Sequence, residues 1–262
     1  MNIGVSTACL YPMLSEKSFE LLAKNGIKNC EIFLNDETEA EDIIIKKFNE
    51  IKKIYNTNII SLHSCFSVDD HFMLFSDYER RLNTGLEKYK KLFFAASKLN
   101  AKYVVFHGNR RDRSVSSQRY FEVFNLLNQE AKSYGVKILQ ENVTTTQCYN
   151  PLFLKEMIDN FGDDVSFTFD IKQSIRSGYD PFKFYQIIKN NIKHIHINDN
   201  NSQFDCLLPG FGNFDFSAFI NLIKENNYNG SLIIEVYRNN FKNIDEIIKS
   251  YNLMKKYIKG GE

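Results

Sequence analysis

The sequence has no tryptophan, no strong excess of charge of either sign, and no long uninterrupted apolar run. Its 33 Lys and Arg residues are matched by 32 Asp and Glu residues, so the formal net charge is +1. A near-neutral chain lacks the basic field that draws most dedicated nucleic-acid binders to phosphate, although a local basic groove is still compatible with it. Without the ~20 continuous apolar residues of a membrane span, we also expect no membrane partner.

The chain also lacks the cysteine spacing of a redox motif or a zinc knuckle, because no two cysteines form a CxxC. An odd number of cysteines cannot all pair within one chain: Cys9, Cys30, Cys65, Cys148 and Cys206. The N-terminus has no basic segment ahead of its apolar residues, unlike a secretory signal. We therefore expect reduced thiols in a cytoplasmic protein.

Short β-rich runs alternate with longer amphipathic runs from one end of the sequence to the other. The eight predicted strands span residues 2–7, 29–34, 58–63, 103–107, 136–141, 165–170, 192–197 and 231–236. Eight β-then-α units without a linker predict a single-domain (β/α)8 TIM barrel over residues 1–262, in the α/β class. An open doubly wound sheet is the alternative, but no glycine-rich phosphate turn follows the first strand.

Several helix starts can be predicted from capping residues. Asn150 and Asp180 each precede a proline, the pattern of an N-cap followed by proline at the first helical position. Ser15 and Asp215 are predicted to cap two further helices. His71, with Asp69 and Asp70 beside it, is expected in a solvated loop.

Six predicted strands place a polar residue on the face opposite their apolar set, at or near the carboxyl end. Because successive side chains point to opposite faces of a strand, these residues are predicted to point into the barrel. The carboxyl ends of the strands form the rim where barrel active sites are built. The predicted inward residues are His63, His107, Glu141, Asp170, His196 and Glu235. His194 shares the inward face one layer deeper, where a structural role is expected.

Three carboxylates at one barrel mouth would repel one another and lose hydration. A divalent cation would supply the missing positive charge, and carboxylates with imidazole suit Mn²⁺, Co²⁺, Zn²⁺, Fe²⁺ or Mg²⁺. Without the ion, at least one of these carboxyl groups should have a raised pKa.

The motifs resemble, in order along nearly the whole chain, those of the xylose isomerase-like barrel superfamily, and more narrowly its sugar-phosphate isomerase/epimerase branch. The motifs are Ile59-Ile60-Ser61-Leu62-His63, Val104-Val105-Phe106-His107-Gly108, Leu139-Gln140-Glu141-Asn142, Phe169-Asp170, His194-Ile195-His196-Ile197-Asn198-Asp199, Pro209-Gly210-Phe211-Gly212-Asn213-Phe214-Asp215-Phe216 and Ile234-Glu235-Val236.

This resemblance implies one divalent metal ion held by Glu141, Asp170, His196 and Glu235. It also implies that Glu141 and Glu235 serve as the acid/base pair. They would move a proton on the carbon next to a carbonyl, through a metal-stabilised enediolate. The substrate would be a small carbohydrate, a sugar phosphate or a keto-acid. His63 and His107 would contact it, and the resemblance favours a homo-oligomer, either a dimer or a tetramer.

One position departs from the family pattern. Gln173 stands three residues after Asp170, where the family usually has a histidine; glutamine can hydrogen-bond a sugar hydroxyl but is a poor metal ligand. A non-catalytic sugar-binding barrel is therefore one alternative. Another is a zinc-dependent endonuclease IV-like enzyme, for which the third zinc site lacks its histidines. The pattern still leaves room for a second metal near His63 and His107.

Overall fold

Eight parallel strands close into a barrel in the order in which they occur along the chain. The computed structural model describes residues 1–64 and 67–260. Each strand pairs with the next, and β8 pairs with β1, so the sheet has no free edge. The strands are β1 (Asn2–Ser6), β2 (Asn29–Phe33), β3 (Asn58–His63), β4 (Tyr103–Phe106), β5 (Lys137–Glu141), β6 (Phe167–Asp170), β7 (Ile192–Ile197) and β8 (Ser231–Ile234). The predicted TIM barrel is confirmed.

The helices surround the barrel. They are α1 (Ser15–Lys24), α2 (Asp42–Tyr55), α3 (Ser67–Met73), α4 (Glu79–Lys98), α5 (Ser117–Ser133), α6 (Pro151–Phe161), α7 (Ile171–Arg176), α8 (Pro181–Ile188), α9 (Phe216–Glu225) and α10 (Ile244–Lys259). The core lies between strands and helices: the fully buried ring of Phe169 in β6 lies 5.5 Å from the Phe184 ring and 6.3 Å from the Phe219 ring. Among the described residues, no helix is long and apolar enough to cross a bilayer.

Several strands are shorter than the sequence predicts. β6 begins at Phe167 rather than at residue 165, β4 ends before His107, and β8 ends before Glu235. Glu235 still donates its backbone N–H to the Ile197 carbonyl at 3.2 Å. It therefore follows β8 directly and stays at the rim.

The helix caps follow the prediction at three of four positions. The side chains of Asn150, Asp180 and Asp215 each accept a backbone N–H in the first turn of α6, α8 and α9. The prediction for Ser15 is wrong, because Ser15 is the first residue of α1 and Leu14 occupies the cap without a side-chain hydrogen bond.

Asp70 also differs from the expectation, because it lies in α3 and is buried rather than solvated. The Tyr89 hydroxyl of α4 lies 3.1 Å and 2.9 Å from its two carboxylate oxygens. Burial raises the pKa of Asp70 well above its usual value, and the Tyr89 hydrogen bond offsets only part of that effect.

Four cysteines are buried free thiols, as predicted: Cys9, Cys30, Cys148 and Cys206. Burial raises the pKa of each. They are therefore unreactive core residues. Cys65 lies outside the described residues.

Candidate metal centre

The four predicted metal ligands converge at the carboxyl-terminal rim of the barrel. Glu141 ends β5, Asp170 ends β6, and His196 lies in β7. One ligand atom from each of these residues and from Glu235 lies within 4.8 Å of every other. The His196 Nδ1 atom lies 3.2 Å from Glu141 Oε1 and 3.4 Å from Glu235 Oε2, so these atoms face one point.

The Asp170 carboxylate is oriented by its neighbours. Its Oδ1 atom accepts from Asn198 Nδ2 at 3.0 Å and from the Gln173 backbone N–H at 3.2 Å. Asn142 exchanges two hydrogen bonds with the Asp170 backbone. The buried Oδ2 atom is ion-paired with the Lys172 ammonium at 3.2 Å and lies 3.9 Å from His196 Nδ1. A buried carboxylate oxygen aimed at three other oxygen and nitrogen donors fits a divalent cation.

Two histidines flank Glu141 on its other side. Its Oε2 atom lies 3.0 Å from His107 Nε2 and 3.4 Å from His63 Nε2, and the two histidine Nε2 atoms lie 3.2 Å apart. These three residues form a second group whose ligand atoms lie within 4.8 Å of one another. Burial would raise the pKa of Glu141, but hydrogen bonds from His107, His196 and His63 hold it well below its usual value. These neighbours therefore favour the carboxylate form of Glu141.

Charge and burial set the pKa values of two of the other ligands. Burial lowers the pKa of His196, but Glu235 and Glu31 raise it well above its usual value overall. Burial raises the pKa of Asp170, and Lys172 offsets only part of this effect. This agrees with the raised carboxyl pKa expected from the sequence.

A cavity of about 700 Å³ opens onto the centre. It is lined by both glutamates of the predicted acid/base pair, by predicted substrate-contact residues and by apolar rings: Glu141, Glu235, His63, His107, Gln173, Phe33, Tyr11 and Tyr237. The side-chain oxygen of Gln173 accepts the Thr144 backbone N–H at 3.1 Å, which fixes this side chain at the cavity wall. The volume is that of a pocket for a small organic molecule.

Sequence reasoning missed Glu31, a fully buried residue of β2. Its Oε2 atom lies 2.9 Å from His194 Nε2 and 3.3 Å from His196 Nε2, and it accepts from Ser61 Oγ at 2.7 Å. His196 therefore faces Glu31 through Nε2 and the other ligands through Nδ1, the arrangement in which an outer carboxylate orients a metal-binding imidazole. The alternation of apolar and charged residues in Cys30-Glu31-Ile32 is the sequence signal that could have identified Glu31. The deeper His194 is part of this structural network.

Sequence reasoning also missed Lys172, the second residue of α7. Its ammonium lies 3.2 Å from Asp170 Oδ2 and 3.4 Å from Glu235 Oε2, and 3% of its side chain is exposed. Burial would lower the pKa of Lys172, but Asp170 and Glu235 raise it well above its usual value. No sequence pattern distinguished this lysine from the surface lysines of other helices.

A family model described as xylose isomerase-like TIM barrel matches residues 19–257. The uncharacterized protein MJ1614 of Methanocaldococcus jannaschii is 28% identical over 179 residues, covering 65% of this chain and 68% of that protein.

Two solved structures are similar over almost their whole length. A D-tagatose 3-epimerase-like protein has a TM-score of 0.82 and 25% identity, covering 99% of this chain and 97% of its own. The IOLI protein with a bound zinc atom has a TM-score of 0.80 and 18% identity, covering 100% of this chain and 99% of its own. The second likeness shows the shared fold.

Proposed function

The chain belongs to the xylose isomerase-like TIM barrel family, and from that premise we propose that it is a divalent-metal-dependent sugar isomerase or epimerase. The substrate is a small carbohydrate, sugar phosphate or keto-acid that enters the 700 Å³ cavity. The observation that carries the proposal is the convergence of Glu141, Asp170, His196 and Glu235 within 4.8 Å beside that cavity.

In this proposal the two glutamates transfer the proton. Three histidines lower the pKa of Glu141, and both Glu141 and Glu235 line the cavity. One of them removes the proton from the carbon next to the substrate carbonyl, and the same or the other glutamate returns it. A divalent ion held by the four ligands would act as a Lewis acid that polarises the carbonyl oxygen. The ion is Mn²⁺, Co²⁺, Zn²⁺ or Mg²⁺.

The remaining residues of the site bind and orient the substrate. His63 and His107 line the cavity next to Glu141, and Gln173 lies on its wall. Donors and acceptors of this kind match sugar hydroxyls. The Phe33 ring stacks on the His63 imidazole, with ring centroids 4.6 Å apart, and this contact holds the histidine in place.

The proposal is tested by proton exchange. The purified chain with Mn²⁺ or Co²⁺ is incubated in D₂O with a panel of ketoses and keto-acids, and deuterium incorporation next to the carbonyl is followed by NMR. Exchange is expected with at least one substrate, and Glu141→Gln and Glu235→Gln should abolish it and weaken metal binding. Metal binding and sugar binding without any exchange would instead favour the non-catalytic sugar-binding barrel.

The ligand atoms of His63, His107 and Glu141 support a second proposal, that this group holds a second metal ion.

Two zinc sites would also fit an endonuclease IV-like enzyme. The third zinc site of such an enzyme would need an Asp-x-His motif where this chain has Asp205-Cys206-Leu207. Here Asp205 pairs with Arg176, and Leu207 has no ligating group. Incubation of an abasic-site duplex with the Zn²⁺-loaded chain tests this alternative, and we expect no nicking. A cytoplasmic location and a homo-oligomer stay predictions.

A further inference from the structure

The ammonium of Lys172 occupies a place in the site that a metal ion would also use. Asp170 ends β6 and caps α7, so the chain turns directly from the strand into the helix and brings Lys172 back over the barrel mouth. Its Nζ atom contacts Asp170 Oδ2 and Glu235 Oε2. These are the same two oxygens that face His196 Nδ1, at 3.9 Å and 3.4 Å.

The charge of the site explains why a lysine is tolerated there. Glu141, Asp170 and Glu235 are three carboxyl groups within one ligand set, and all three are buried. Buried carboxylates are costly unless a cation or a hydrogen-bond donor compensates them. Lys172 supplies such a cation from the chain itself.

We propose that Lys172 is a tethered counter-ion that competes with the divalent ion for Asp170 and Glu235, and so sets how tightly the centre binds metal. This inference rests on the proposed metal-dependent function. The competition is expected whether the ammonium leaves or stays. If it leaves, the two contacts with Asp170 and Glu235 are lost; if it stays, it repels the divalent ion across a few ångströms. Both effects weaken metal binding.

The displaced ammonium has a second place to lie. Lys172 lines the cavity, and its Nζ atom is already 5.1 Å from the centre of the Tyr237 ring. The Tyr237 hydroxyl accepts a hydrogen bond from Arg176 Nη1 at 2.8 Å, which fixes that ring at the cavity wall. A cation over a tyrosine face is stabilised by the ring, so the ammonium would keep a favourable partner if it left the two carboxylates.

The test is metal affinity rather than turnover. Mn²⁺ is titrated calorimetrically into the metal-stripped chain and into Lys172→Met, which keeps an unbranched side chain one atom shorter and removes its charge. We expect Lys172→Met to bind Mn²⁺ at least about tenfold more tightly. An unchanged or weaker affinity would overturn the inference while leaving the metal site of the native chain in place.

A control separates the local charge from the overall charge of the chain. Lys183→Met removes an exposed lysine of α8 and changes the net charge equally. It should bind Mn²⁺ within about threefold of the native chain, a difference of less than ~1 kcal/mol. Equal tightening in this control would contradict the local competition that we propose.

The remaining outcomes also discriminate. If Lys172→Met binds Mn²⁺ and the native chain does not, the inference is supported and metal dependence of the native chain is contradicted. If neither protein binds Mn²⁺, both proposals are overturned. If Lys172→Met does not fold, Lys172→Gln replaces it in the same titration, with the same expected tightening. Circular dichroism confirms that each variant is folded before its affinity is compared.

Discussion

The hydrogen bonds of Glu31 allow the effect of one substitution to be worked out atom by atom. Its Oε2 atom lies 2.7 Å from Ser61 Oγ, 2.9 Å from His194 Nε2 and 3.3 Å from His196 Nε2. Its Oε1 atom lies 3.2 Å from His196 Nε2. Glu31→Gln replaces one of two acceptor oxygens by an NH₂ donor. With the NH₂ at the Oε2 position, the Ser61 hydroxyl and the histidine donors lose their acceptor; with it at the Oε1 position, the NH₂ itself is a buried donor beside His196 without an acceptor. Either arrangement should cost about 1–3 kcal/mol in the free energy of unfolding.

The same substitution should weaken metal binding. His196 turns Nδ1 toward the other ligands while Glu31 holds Nε2, and loss of such an outer carboxylate typically lowers metal affinity about 10–100-fold. Urea unfolding of the metal-free chain and calorimetric titration with Mn²⁺ measure the two effects at pH 7. Ser61→Ala is the matched control. It removes one donor but keeps the carboxylate, so we expect a loss of about 0.5–1.5 kcal/mol and no change in affinity.

The pH dependence of the free energy of unfolding shows whether the charge of Glu31 stabilises or destabilises the fold. Burial would raise the pKa of Glu31, but His196 and His194 hold it well below its usual 4.5. Its charge therefore stabilises the fold above pH 4.5, and this contribution is lost as the pH falls through the lowered pKa. The stability difference between Glu31→Gln and the native chain should shrink on acidification. A Glu31→Gln chain that matches the native one in both stability and Mn²⁺ affinity at pH 7 would refute the reasoning.

Three further predictions concern other parts of the fold. Because burial raises the pKa of Asp70, its ionisation lowers the stability of the native chain as the pH rises through that pKa. The free energy of unfolding of Asp70→Asn, measured in urea, should therefore increase relative to that of the native chain between pH 4 and pH 8. A difference that does not change with pH would contradict this prediction. Phe169→Ala removes a fully buried ring and should cost about 3–5 kcal/mol, whereas the 71% exposed Ile54→Ala control should stay within about 0.5 kcal/mol. Glu235→Gln should abolish deuterium exchange next to the substrate carbonyl and lower Mn²⁺ affinity together, and near-normal turnover would show that Glu235 is not an acid/base residue.

The barrel and its rim could be predicted because both follow from local patterns. Alternating strand and helix signals gave eight units, and the side-chain alternation within β5, β6 and β7 placed Glu141, Asp170 and His196 on the inward face. Parallel strands then bring their carboxyl ends to one rim. The prolines after Asn150 and Asp180 similarly located two helix starts from adjacent residues.

The partners of Glu31, Lys172 and Asp70 could not be predicted in the same way. Glu31 meets His194, 163 residues away in the sequence, and this contact requires the barrel to close. Asp70 is buried because α3 packs on α4, which a short polar segment does not reveal. Lys172 belongs to a helix that begins directly at the rim, so its charge meets Asp170 and Glu235 instead of solvent. Sequence periodicity determines which face a residue occupies, whereas its charge partners depend on the distances that only the closed fold sets.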